Sequence, residues 1–204
     1  MNRSTRNSFV FILAGLLVAF AAACAKPYSV KVLYTLPEAP QQLQGQKIGL
    51  QVEDRRADKS VFSEKARSEF DLWNGNFTLA TNEGEASSQT YDLQDLVATA
   101  LKERLKAMQV EVVEDGAEAL PVMRVAIEQF KIDLEGRTWY AGFAYRARLS
   151  KDSSKIARES VNGKAERAKI MGRGGGEKLI GELLTDGLNK LNVSKLFENA
   201  GLTQ

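Results

Sequence analysis

The sequence predicts an α+β fold: a mostly antiparallel sheet with a central amphipathic helix and a C-terminal helix packed on one face. Several segments alternate apolar and polar residues at the two-residue period of a half-buried strand. Two others repeat apolar residues every three or four positions, the pattern of a helix with one buried stripe. The elements run strands, helix, a series of strands joined by short turns, then helix. Strands joined that way pair antiparallel.

The chain of 204 residues opens with "MNRSTRNS", polar and carrying Arg3 and Arg6 without an acid. Phe9 to Ala23, "FVFILAGLLVAFAAA", is uncharged throughout. A membrane-spanning helix needs about 20 apolar residues, and this run is shorter and ends in small side chains. A basic start, an apolar middle and a small-residue end read as a secretory signal peptide over residues 1–23. The only cysteine, Cys24, follows at once.

Ordinary signal-peptidase cleavage remains open, because "AAA" satisfies its small-residue requirement. Bacterial lipoprotein processing instead cleaves before a cysteine that then carries lipid. Ala21-Ala22-Ala23-Cys24 resembles that lipobox, with Ala21 standing where leucine is usual. The position of the sole thiol favours lipid attachment at Cys24, with two or three acyl chains such as palmitate. A single chain of myristoyl length would hold only marginally. Ala25, in place of the aspartate associated with inner-membrane retention, points to the outer membrane.

"PYSVKVLYTL" reads as a strand with Val30, Val32 and Tyr34 on one face, followed by the proline-containing connector "PEAPQQLQGQ". Lys47 to Asp54 reads as a second strand, and residues 55–70 read as charged and irregular. Phe77 to Asn82 reads as a short strand before the polar loop "EGEASSQ". Thr90 to Met108 reads as the clearest helix, with Leu93, Leu96, Val97, Ala100, Leu101 and Leu105 in one stripe. Thr90 or Asp92 caps its start.

"VEVVED" is a short strand, closed by the turn "DGAE". Leu120 to Leu134 forms a long strand whose apolar parity switches between Ile127 and Phe130. Either both faces are covered, or a bulge near Glu128–Gln129 resets the register; the bulge is favoured. "TWYAGFAYRARLS" places Trp139, Ala141, Phe143, Tyr145, Ala147 and Leu149 on one face, with Arg146 and Arg148 on the other. The turn "KDSSK" leads to a strand of weaker alternation. Two helices close the chain, Glu177 to Leu191 and Val193 to Asn199.

Composition removes several function classes. The chain has no histidine and one cysteine, which leaves out the usual zinc, copper and haem ligands and the Ser-His and Cys-His catalytic pairs. The formal charge is +2, and both excess arginines lie in the leader, so the body is balanced. Nothing in the charge pattern suggests nucleic acid.

"MGRGGGEKLIG" departs from the phosphate-binding loop because Glu177 separates Gly176 from Lys178 and Leu179 replaces the required hydroxyl. It reads as a glycine-rich hinge, and no nucleotide site is expected. No catalytic residue, cofactor or metal is assigned. The candidate interaction surface is Asp54, Arg56 and Asp58 from "EDRRAD", together with Arg146 and Arg148. Beside Arg137, Trp139 and Tyr140, the last two arginines suit an anion or a glycan strand; the plainer alternative is a solvated sheet face.

Three features resemble the YajG-like family of small Gram-negative lipoproteins. One is the D-x-R-x-D run at Asp54, Arg56 and Asp58. Another is the amphipathic helix leading into a V-x-V-V strand, Leu93 to Val113. The third is the closing "GELLTDGLNKL…LFENAGL" with Leu184, Thr185 and Asp186. The resemblance brings no catalytic motif and implies a non-enzymatic periplasmic module.

The expected organisation is a leader at 1–23, a lipidated N-terminus with first strand and linker at 24–46, and one α+β periplasmic domain at 47–204. The expected function is an outer-membrane-anchored, periplasm-facing lipoprotein that binds or scaffolds an envelope protein or peptidoglycan. An auxiliary role in an ABC-type lipid or solute transport system is the alternative.

Overall fold

Three long strands with strong alternation set the frame: β6 (Val122–Glu135), β7 (Thr138–Ser150) and β8 (Ile156–Ala168), paired antiparallel in sequence order. The computed structural model describes residues 28–37, 43–71, 73–82, 87–113, 120–151, 155–170, 172 and 174–203. The leader expected at 1–23, Cys24 and the turns expected within 115–118 and 152–154 lie outside them. The register of β6 against β7 shifts between Ile127 and Gln129. This is the bulge the parity switch predicts. By absorbing one residue it keeps Met123, Val125 and Ile127 on the same buried side as Phe130, Ile132 and Leu134.

The fold is α+β, and its sheets are mixed. The larger sheet has the order β5-β2-β6-β7-β8, where β2 is Lys47–Asp54 and β5 is Glu111–Val113. β2 runs parallel to both β5 and β6. Short turns do not link these strands. The chain leaves β2, crosses a helix and returns, which makes a parallel neighbour. A smaller sheet joins β1 (Tyr28–Tyr34), β3 (Trp73–Thr81) and β4 (Thr90–Tyr91), with β1 parallel to β3.

Residues 55–71 are more ordered than their composition suggests. Ser63 caps the short helix α1 (Glu64–Arg67) by accepting from the Ala66 amide at 3.2 Å. A 3₁₀ turn at Ser68–Phe70 then carries Phe70 into the core. Helix α2 (Leu93–Ala107) starts two residues after β4 and takes Asp92 as its N-cap, the side chain accepting from the Asp95 amide at 2.8 Å. Thr90 instead belongs to β4.

Helices α2 and α3 (Gly174–Lys190) cover the inner face of the larger sheet, α2 over β2 and α3 over β7 and β8. The short α4 (Val193–Asn199) packs beside α3's end of β8. β1 belongs to the same core: Val30, Val32 and Tyr34 are fully buried. Its amides reach α3, with Lys31 donating to Glu177 Oε1 at 3.3 Å and Thr35 to Thr185 Oγ1 at 3.1 Å. Burial pushes the Glu177 carboxyl above its ordinary range.

Two glycines set how closely α3 approaches. A Cβ on Gly187 would stand 2.5 Å from the Phe143 ring, and one on Gly181 would stand 2.8 Å from the Leu33 carbonyl oxygen. The "GGG" run is the first turn of α3, with Gly176 against the Phe70 and Trp139 rings, so it is packed structure where a hinge was expected.

Arg104 and Arg56 are the two charged side chains buried among the described residues. Arg104, from α2, donates to the carbonyls of Leu188 and, at 2.7 Å, Leu191 at the end of α3. Tyr145 donates to Gly187 O at 3.0 Å and Tyr34 to Asn189 Oδ1 at 2.9 Å. The last turn of α3 is thus tied to α2, β7 and β1 together.

Two stability measurements check this account. Gly187→Ala lowers the unfolding midpoint although alanine favours a helix by about 1 kcal/mol; the clash with an enclosed ring costs about 1–3 kcal/mol. Gly174→Ala, which meets nothing within 4 Å, is neutral or stabilising in the same assay. Arg104→Ala lowers stability by roughly 3 kcal/mol in urea unfolding, and Arg104→Lys restores only part, because a point charge cannot reproduce the fork.

Candidate interaction face

The larger sheet buries one side only, so alternate residues of β6, β7 and β8 form a polar outer face. The five residues singled out from sequence divide between two settings. Asp54, Arg56 and Asp58 build the loop after β2, whereas Arg146 and Arg148 stand on the outer face.

Arg56 is 6% exposed and grips Asp54 bidentately, Nε to Oδ1 at 3.0 Å and Nη2 to Oδ2 at 2.8 Å. Its remaining donors reach the carbonyls of Phe130 at 2.9 Å and Lys59 at 3.0 Å. The loop therefore folds around one planar guanidinium, which closes it onto β6. Burial works to raise the Asp54 carboxyl, but the bonds from Arg56 and Lys59 prevail and bring it to about 2. Asp58 lies exposed at the rim. It pairs with Lys131 at 2.7 Å and accepts from the Ser60 amide at 2.8 Å, and these bonds hold it well below the usual carboxylate range.

On the outer face, strand register aligns residues that are far apart in sequence. Arg124 on β6 stands opposite Arg148 on β7, and Arg148 stands opposite Arg158 on β8. The row continues to Gln51 on β2, whose side-chain oxygen accepts from Arg124 Nε at 2.9 Å. One step along, Arg146 pairs with Glu128 at 2.9 Å, and at the sheet margin Arg55 pairs with Glu53 at 2.7 Å. These groups surround a shallow cavity of about 330 Å³ lined by five arginines and two glutamates. Like charges directly opposite on neighbouring strands are destabilising. Arg148 is half-buried at the centre, and its Nε is enclosed without a hydrogen-bond partner.

Sequence parity places Arg146 and Arg148 on this face but leaves out Arg124 and Arg158. Each of those also alternates with buried neighbours, Met123 and Val125 for the first and Ala157 for the second. That alternation was the available signal; the alignment needed the register. The other half of the face carries a second shallow cavity of about 460 Å³, lined in part by the exposed Tyr140 with Lys131, Lys164, Asp133 and Glu166. Among the described residues, no group of three or more His, Cys, Asp or Glu is placed to hold a metal. No described helix is long and apolar enough to cross a membrane.

No protein-family model and no curated protein matches the chain. Solved structures do match. A Xanthomonas campestris protein described under the family DUF330 superposes with a TM-score of 0.51 at 14% identity, over 83% of this chain and 94% of that one. A hypothetical protein of Chlamydia trachomatis gives 0.47 at 9% identity, over 76% and 98%. The rare lipoprotein B of Shewanella oneidensis gives 0.42 at 10%, over 77% and 98%. The first of these shows a shared fold.

The Asp54 pair gives a pH prediction. Its carboxyl titrates near 3.8 when unpaired and near 2 in the fold. Its contribution is therefore fully present above about pH 4 and is lost as pH falls from there through 2. Asp54→Asn lowers stability at pH 7 by about 3 kcal/mol, since Arg56 is left buried without its partner. It also flattens the acid loss of stability, read by thermal melts between pH 2 and 5.

Proposed function

We propose that the chain is a lipid-anchored, non-enzymatic binding or scaffolding module of the cell envelope, allied to the YajG-like lipoproteins. It is attached through Cys24 to the outer membrane, faces the periplasm, and presents the outer face of its larger sheet to an envelope protein or to peptidoglycan. The observation that carries this reading is the place of the one cysteine, directly after a leader of secretory grammar. Three residues lie between it and Tyr28, where β1 begins, a reach of at most about 14 Å over the four steps. A lipid at Cys24 would therefore hold the folded body close to the bilayer. The one-sided sheet supports the binding half of the reading, because its polar face is left open to a partner.

Cys24→Ala tests the anchor: the expected outcome is loss of the protein from the membrane fraction, and a variant that still sediments with membrane overturns the reading. Crosslinking in intact cells followed by mass spectrometry tests the partner. Recovery of a peptidoglycan synthase or muropeptides supports the scaffolding role; recovery of a permease and its ATPase moves the assignment to the transport alternative.

A further inference from the structure

We propose that the row Arg124, Arg148 and Arg158 is a binding site for the phosphoryl groups of a soluble ligand. The inference rests on the outer sheet face being the binding surface; only the choice of a soluble source draws on the anchor at Cys24.

The energetics of the bare row are unfavourable. Neighbouring strands lie about 4.8 Å apart, so the three arginines spring from backbone positions within a span of about 10 Å. Glu53 and Glu128 are engaged by Arg55 and Arg146. Arg124 meets only the neutral Gln51, and neither Arg148 nor Arg158 has an ion pair among the described residues. Three cations with no carboxylate between them repel one another, and the Nε of the central one is enclosed and unsatisfied. An anion seated over Arg148 removes the repulsion.

The chemistry of the row selects the anion. A carboxylate brings one charge and two oxygens, enough for a single fork. A phosphoryl group brings about two charges and three acceptor oxygens, enough to bridge neighbouring forks across strands. Arginine is the side chain suited to that bidentate contact. The cavity of about 330 Å³ is at the small end of ligand sites, the size of a phosphorylated small molecule or one unit of a phosphorylated glycan.

The source follows from placement. Tyr28 pairs with Trp73, which meets Phe62, and Phe62 bridges to Ile132 near the β6–β7 turn. The row lies at the other end of the strands. Trp139 and Arg148 are nine residues apart on β7, about 30 Å of strand. The arginines are thus remote from the point where the chain enters the fold, which favours a soluble ligand over the headgroups of the membrane next to Cys24.

Calorimetric titration of the full chain with inorganic tripolyphosphate tests the site. The expected result is salt-sensitive binding that weakens at least tenfold in Arg148→Gln and in the Arg124→Gln/Arg158→Gln pair, and is unchanged in Arg137→Gln at the β6–β7 turn. The thermal midpoint of Arg148→Gln stays level or rises, because a repulsion has been removed; lost binding with retained stability separates a ligand site from a structural role. Undiminished tripolyphosphate binding by Arg148→Gln overturns the proposal. Tighter binding of a hexaglutamate peptide assigns the row to acidic protein segments and overturns it. Binding seen only on phosphatidylglycerol vesicles assigns it to the membrane surface and overturns it too. Membrane fractionation reads the anchor and this titration reads the face, so either reading can fail alone.

Discussion

The Arg104 guanidinium is buried where α3 ends and the chain turns into α4, and it donates to carbonyls there beside the bonds they accept from the Leu191 and Val193 amides. A helix leaves its last four carbonyls without intrahelical partners, and leaving them buried and bare costs free energy at each. Arg104 covers those of Leu188 and Leu191, Tyr145 covers that of Gly187, and the positive charge sits at the negative end of the helix dipole. Burial depresses the Arg104 pKa and raises those of Tyr34 (to about 12) and Tyr145, so the tyrosines remain neutral donors. The carbonyls and the dipole offset desolvation of the charge. This contact ties the end of α3 to α2, while α4 starts on its own cap, the Asn192 side chain accepting from the Lys195 amide at 3.0 Å.

Gly181 and Gly187 are the steric counterpart of that electrostatic contact. They let α3 lie against the Leu33 backbone and the Phe143 ring, and Phe143 is in turn wedged between Phe130 and Tyr145 at centroid distances of 5.5 and 5.0 Å. With both helices and the small sheet gathered on one side, the inward-facing apolar residues of β6 and β7 are buried. The opposite face then has no core to serve, and packing does not set its composition. A solvent-exposed face tolerates many residue types, so a row of aligned arginines that repel one another needs a reason that stability does not supply.

Much of the fold was legible because period carries burial. The stripes of α2 and α3, the alternation of β7 and the parity switch in β6 are each local, and each corresponds to an element or a bulge in the structure. The parallel pairing of β2 was not legible, because strand neighbours separated by a helix are chosen by packing and leave no local mark. Residues 55–71 misled for a related reason. Their charges look solvated in sequence, yet Arg56 is drawn inward by Asp54 and by carbonyls of β6 and its own loop. Of the outer-face arginines, Arg146 and Arg148 were readable from strand parity. Arg124 and Arg158 required the register to bring them alongside.

By itself the sequence determined which segments are strands and helices, which side of each is apolar, and that the one thiol directly follows an uncharged apolar run, since all three depend on residues adjacent in the chain. Only the tertiary structure decided which strands are neighbours, that Arg104 ends beneath α3, and that three arginines from three strands form one row. Those outcomes depend on hydrogen-bond register and on close packing between elements, which act across distances the chain does not encode residue by residue.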